Sequence, residues 1–353
     1  MSAAGAPGAA SAGSPTVDPM SRPTSAEPHA PGAPLPARAS SGAVGARVRG
    51  SAGRVAVALL VAVVAAVATW ATWRVFVGTA HGQAVDQAAL EGAHIGRTRL
   101  WEIAEPVLDV VSTGFLAAAV LACAVIAVVR RRWGLALVAA VVLGGANLST
   151  RVLKLLVLDR PELGHGPEFN TLPSGHTTAA ASVAVAVLLV VPPRARPWAA
   201  VLGAGYAGAT GVSTLIGQWH RPSDVVAGLL VVLAWGALGC AVLALGVDPA
   251  GDRQPPTAAL RTVPRGGGRG DRAGTTTALV LLGAVAVLAG AGAVVALRST
   301  WLAADPMAGR AELLTSYGGG ALGVVAVAAA VFAVLLVLRR SATARSARVG
   351  PTS

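Results

Sequence analysis

Long stretches built almost wholly from Ala, Val, Leu and Gly alternate along this chain with short polar connections. The apolar stretches run approximately over residues 55–77, 107–129, 134–158, 177–191, 197–216, 225–245, 277–297 and 322–338. A run of about 18 or more such residues matches the hydrocarbon thickness of a bilayer. A soluble amphipathic helix would carry a polar face, and these stretches carry none. The pattern predicts an all-α fold, a polytopic transmembrane helical bundle of about eight spans, because helices satisfy their backbone hydrogen bonds internally. The span beginning at Thr177 is the shortest and can extend back to Ser174.

The connections divide the chain. Residues 1–53 are rich in Ala, Gly, Pro and Ser, bury too little surface to offset their ordering entropy, and read as a disordered tail. They are not a secretory signal, since the first apolar run begins late and no cleavage-like site follows it. Residues 54–247 make a six-span core, 248–275 a Gly/Arg/Pro-rich flexible linker, 276–339 a two-span appendage, and 340–353 a basic tail. The Gly and Ala content of the last two spans permits close packing, including packing between subunits of a homo-oligomer.

Charge changes this picture by adding an orientation. The chain has a formal net charge of +12, which raises the question of nucleic acid. A nucleic-acid binder gathers its charge on one surface or stripe. Here the arginines fall in short clusters between apolar runs, so nucleic acid is excluded and membrane topology is indicated, with attraction to anionic membrane lipids as a consequence. Placing the N-terminal tail in the cytoplasm puts the clusters around Arg49, Arg131, Arg194, Arg265 and Arg340 on that side. The chain then reads as a multi-pass protein of the cell membrane with both termini cytoplasmic. The connections 79–106, 159–176, 218–224 and 298–317 face outward. Cys123 and Cys240 lie inside apolar runs, where thiols act as small hydrophobes, and no disulfide framework or Cys/His metal cluster is visible.

Three polar clusters interrupt the pattern, and in this topology all lie at outer ends of spans. The first is Lys154 to Pro161, with Lys154 and Arg160 as cations that are costly at a span end unless they meet an anion or water. A planar guanidinium and a point-charge ammonium together can clamp one phosphoryl group. The second is Pro173-Ser174-Gly175-His176, where a loop enters a helix. Free N–H groups there make an anion site, Gly175 permits close approach, Ser174 adds a hydroxyl, and His176 stands ready to protonate a departing oxygen. The third contains Ser213, Thr214, His220 and Asp224. His220 and Asp224 have the i,i+4 spacing of one helical face, with Pro222 suited to a first turn, so Asp224 can hold the imidazole in one tautomer and leave the other nitrogen as nucleophile or base.

On these residues the sequence resembles the type 2 phosphatidic acid phosphatase and vanadium haloperoxidase superfamily. That family's pattern is Lys-x6-Arg-Pro, then Pro-Ser-Gly-His, then Ser-Arg-x5-His-x3-Asp. The second motif matches fully at Pro173 to His176, and the third matches at Ser213, His220 and Asp224. The resemblance covers roughly residues 134–245 in specific terms. It implies a helical bundle and a reaction that uses no metal or other cofactor. It implies a phosphohistidine intermediate on His220, with Asp224 orienting it and His176 protonating the leaving alkoxide. Lys154, Arg160, Ser174 and the Gly175 amide would hold the phosphoryl oxygens. Two departures stand out. Lys154 and Arg160 are one residue closer than the family spacing, which either the turn near Asp159 absorbs or Arg151 offsets by helping in place of Lys154. The family's third-motif arginine is Thr214 here, and Arg221, next to the nucleophile, is the candidate substitute for phosphate binding.

The expected function is an integral membrane phosphatase acting on a lipid-linked phosphomonoester or a polyprenyl diphosphate at the extracytoplasmic face, within lipid metabolism. The alternatives are phosphate transfer to another lipid, and a catalytically degenerate protein of the same fold acting in lipid binding or transport.

Overall fold

The computed structural model describes residues 41–95, 97–110, 121, 125, 132–246, 267–303 and 305–343. Its elements are α1 (Ser41–Phe76), α2 (Ala80–His94), α3 (Arg97–Val110), α4 (Trp133–Val152), a π-helical turn (Leu153–Val157), α5 (Gly175–Val190), α6 (Arg196–Ile216), α7 (Pro222–Ala244), α8 (Gly267–Leu302) and α9 (Arg310–Thr343). Among the described residues the fold is all-helical, and six helices are long and apolar enough to cross a membrane. These are the predicted spans at 55–77, 134–158, 197–216, 225–245, 277–297 and 322–338. The predicted span at 177–191 is the shorter apolar helix Gly175–Val190. The predicted span at 107–129 lies mostly outside the described residues, as do most of the N-terminal tail, the linker and the C-terminal tail.

Three helices overrun the expected boundaries. α1 begins at Ser41 inside the expected tail, α8 begins at Gly267 inside the expected linker, and α9 continues to Thr343. Once a turn exists, each added residue gains a hydrogen bond at little extra ordering cost, so a long apolar helix propagates into polar flanks.

The connection 79–106 holds two helices. Thr79 starts α2 by accepting from the Gly82 N–H at 3.0 Å, a normal N-cap. α2 is short and rich in Ala and Gln, and most of it is buried. α4, α5, α6 and α7 pack on one another, and α9 packs along α2, α6, α7 and α8. Phe332, Leu335 and Leu336 of α9 are buried in the same core as Leu188, Leu215 and Leu229. Close approach is enforced by small residues: a Cβ at Gly203 would come within 2.5 Å of Phe332, and one at Gly320 within 2.5 Å of Pro222. The reading of the last two spans as an appendage rests on the linker's composition and says nothing of these contacts.

At the end of the bundle away from the polar clusters, Arg339 is buried, and its Nε and Nη2 donate to the Leu189 carbonyl at 3.1 and 3.0 Å. Carbonyls in the last turn of a helix lack intrahelical partners, and a buried guanidinium supplies donors for one of them. One of the terminal cluster's arginines thus joins α9 to α5.

Candidate functional site

Local sequence sets each site element. α6 ends at Ile216, and Gln218 follows in the left-handed region with φ 64°. This reversal lets the Trp219 and His220 N–H groups both donate to the Thr214 carbonyl, at 3.0 and 3.3 Å. Pro222 then opens α7, where its missing N–H costs nothing. Asp224, in that first turn, accepts from the Arg221 N–H at 3.0 Å. The same carboxylate oxygen meets His220 Nδ1 at 3.2 Å. An ionised carboxylate only accepts, so Nδ1 carries a proton, and in the neutral imidazole Nε2 is the nitrogen with the lone pair. Both residues are buried, and the other Asp224 oxygen has no hydrogen-bond partner among the described residues. The sequence expectation of a helix-start geometry with Asp224 in the first turn describes this arrangement.

The second cluster is joined to the third through backbone. The Ser174 N–H donates to the Asp224 carbonyl at 2.8 Å. Ser174 is fully buried and its Oγ caps α5, accepting from the Thr177 N–H at 3.3 Å and the Thr177 hydroxyl at 3.0 Å. Gly175 opens the helix with free space where a Cβ would stand. His176 is exposed, its ring 5.9 Å from that of His220 between centroids. That separation is an edge-to-face ring contact, so the two imidazoles are immediate neighbours. Trp219 lies 5.1 Å from the His176 ring and Trp101 packs edge-on against Trp219, which restricts where His176 can point.

The first cluster enters by an irregular path. The π-helical turn carries Lys154, and the Leu158 N–H reaches back to the Leu153 carbonyl at 2.8 Å. The departure from the family spacing falls here, so a phase count of about 100° per residue does not apply between Lys154 and Arg160. Lys154 is half-buried, and its charge is felt at both Asp224 and His176, whereas Arg151 is exposed. Asn170 ties the following loop together, donating to the Leu158 and Leu172 carbonyls at 2.9 and 2.8 Å.

Arg160 and Arg221 converge. A Cβ built on Gly166 would stand 2.7 Å from Arg160 Nη2 and 2.6 Å from Arg221 Nη2, so both guanidinium groups flank that glycine. Arg160 is 9% exposed; its Nη2 donates to the His165 carbonyl at 2.8 Å, while its Nη1 is buried without a partner among the described residues. Burial, then the neighbouring Arg221 charge, draws the Arg160 pKa down from its ordinary value. Two adjacent cations and an orphan donor fit an anion.

Thr214 points elsewhere. It is 0% exposed, and its hydroxyl donates to the Gly211 carbonyl on its own helix at 2.7 Å. The position holding the family arginine contributes a backbone carbonyl to the His220 turn, while Arg221 supplies positive charge beside Arg160.

Sequence reasoning missed the α2 groups that hold this site. Gln87 Oε1 accepts from Arg221 Nε at 3.0 Å and also from its Nη2. Asp86 accepts from the Ser223 N–H at 3.1 Å and from the Ser223 hydroxyl. Gln218 Nε2 donates to the Leu90 carbonyl, and Thr171 Oγ1 lies 3.4 Å from Arg221 Nη1. The Thr79 cap and the Ala-rich run after it were signals for a helix, but nothing local says which face meets residues about 130 positions away.

No curated protein and no solved structure matches the chain. Residues 133–245, from the start of α4 to the end of α7 and including every candidate site residue, match the family model of the PAP2 superfamily.

Proposed function

We propose that this chain is an integral membrane phosphatase that hydrolyses a lipid-linked phosphomonoester or diphosphate at the extracytoplasmic face. His220 Nε2 attacks phosphorus as the bond to the leaving oxygen breaks, and His176 gives that oxygen a proton. Water then attacks the phosphohistidine while giving a proton to His176, the P–N bond breaks, and free phosphate leaves with both histidines restored. Asp224 holds the Nδ1 proton through both steps and stabilises the charge on the ring. Lys154, Arg160, Arg221 and the N–H groups at Gly175 neutralise the phosphoryl oxygens as charge shifts onto them.

The observation that carries this reading is the buried His220–Asp224 pair, 3.2 Å apart, facing His176 and flanked by two converging arginines. Binding alone would need the cations but neither the oriented imidazole nor the second histidine. Extracytoplasmic placement rests on the distribution of basic residues between spans.

The test is phosphate release by purified, detergent-solubilised protein from phosphatidate, phosphatidylglycerol phosphate and a polyprenyl diphosphate, with EDTA present. Release is expected from at least one lipid and is expected to vanish in His220→Ala. Equal release by wild type and variant, or none from any lipid, would reject the catalytic reading in favour of a binding protein of the same fold.

A further inference from the structure

Behind the 218–224 turn, sharing Asp86, Pro222 and Ser223 with it, lies a cavity walled by α1, α2, α7, α8 and α9 and about 210 Å³ in volume. Two of its walls, α8 and α9, and also α1 and α2, lie outside the segment that matches the PAP2 superfamily. Its polarity is graded. Asp86, Ser223 and Ser316 line one end, at the same end of the bundle as His220, and Val226, Gly323 and Val327 line the other. From Ser316 to Val327 the helical rise is about 16 Å. Thr72 and Thr300 also line it, but their hydroxyls donate to carbonyls of their own helices. Ser316 is 5% exposed, and its Oγ has no hydrogen-bond partner among the described residues.

The cavity adjoins a gap at the bundle's surface. Phe76, Val294 and Leu297 also line a gap of about 540 Å³ between α1 and α8, and Val294 is 65% exposed. Around a transmembrane bundle the medium at such a gap is lipid. Water gains little from walls with so few hydrogen-bonding groups, whereas a hydrocarbon chain restores the dispersion contacts an empty cavity forfeits.

We infer that this cavity binds an uncharged, hydroxyl-bearing lipid, its head on Ser316 and its chain running toward Val327. The head is uncharged because the polar end presents no cation to an anionic head, while both oxygens of the buried Asp86 carboxyl already accept from Ser223 and are not left over for a cationic one. Arg298 stands only in the outer gap, which makes an anionic lipid the informative competitor.

The test uses the purified full chain in detergent with hexadecanol carrying a photoreactive group on its chain, followed by peptide mapping. Label is expected on the residues of α7 and α9 that line the cavity, in excess over the lipid-facing Val287 and Leu288, which are 69% and 73% exposed. Unlabelled hexadecanol is expected to compete, and hexadecylphosphonate, which cannot release phosphate, to compete much less. A Cβ at Gly323 would meet only Ala293 at 3.7 Å, so Gly323→Leu can place its side chain in the cavity; labelling there is expected to fall about tenfold or more if the chain is worth about 1.4 kcal/mol or more. Ser316→Ala, which removes one hydrogen bond, is expected to weaken binding about three- to tenfold. Label spread evenly over lipid-facing positions, or phosphonate competing as well as the alcohol, would overturn the inference. The competition on wild type decides the matter even where a variant fails to fold. None of these readouts depends on hydrolysis, so their failure leaves the phosphatase reading standing.

Discussion

Every residue proposed to meet phosphate lies between Trp133 and Leu245, whereas several of the groups that hold those residues in place come from α2, which is itself backed by α9. Within 133–245 the chemistry is explicit, with two histidines, an aspartate and three cations brought to one end of the bundle. α2 offers no nucleophile to the site and only a carboxyl and an amide as supports. It nonetheless grips the 218–224 turn at three places, through Asp86, Gln87 and the Leu90 carbonyl. The contrast teaches that a reactive turn with a left-handed residue is held from outside its own segment, since strained backbone persists where its surroundings over-determine it.

The comparison breaks first if the reactive pair is not what it is taken for. Asp224→Asn is expected to lower turnover about 10³- to 10⁴-fold, because a neutral amide cannot stabilise the charged ring and its NH2 can donate to Nδ1 and fix the wrong tautomer. A loss under tenfold in the phosphate-release assay would deny Asp224 that role.

It is sharpened next by asking where the missing arginine went. Arg221→Ala is expected to cost about 10²- to 10³-fold in turnover, the scale for removing a donor to transition-state charge. Thr214→Ala loses one helix-internal hydrogen bond and is expected to change turnover by less than about twofold. Were Thr214→Ala the more damaging of the two, Arg221 would not be the substitute.

The contribution of α2 should be smaller than either. Gln87→Ala leaves the Arg221 charge in place and removes only its anchoring, so a loss of about tenfold in kcat/KM is expected, roughly the value of two hydrogen bonds to a charged group discounted for solvent replacing them. No change would show that Thr171 suffices to aim the guanidinium.

The smallest effect is on stability. Burial first, and then the neighbouring Asp224 charge, raise the pKa of Asp86 from 3.8 to about 7. A carboxyl whose folded pKa exceeds its unfolded value favours folding fully below the unfolded value, and that contribution is lost as pH climbs to the folded one. Thermal unfolding of the detergent-solubilised chain should therefore fall in temperature between pH of about 4 and about 7. Asp86→Asn, which cannot ionise, should flatten that slope; an unchanged slope would place the titration elsewhere.

Much of this was legible in the chain itself. Seven of the eight apolar runs coincide with described apolar helices, because a span needs only length and continuous apolarity, both local properties. The start of α7 was legible too: Pro222 and Asp224 belong to a first turn on steric and hydrogen-bonding grounds that hold anywhere. The π-helical turn at Lys154 was not, since an α and a π turn of the same residues differ by packing and not by propensity. α2 was passed over as a connection, being too short for a span and nearly featureless in composition.

What the sequence determined by itself, then, was the place of the seven described apolar helices, the end of the bundle at which the polar motifs gather, and the pairing of His220 with Asp224, all of which follow from spacing within one segment. Only the tertiary structure decided that Arg221 stands beside Arg160, that Thr214 turns into its own helix, that Asp86 and Gln87 hold the reactive turn, and that α9 is buried against α6 and α7. Those facts depend on which faces of distant helices meet, and that is settled by the summed fit of many weak contacts and not by any residue's own preference.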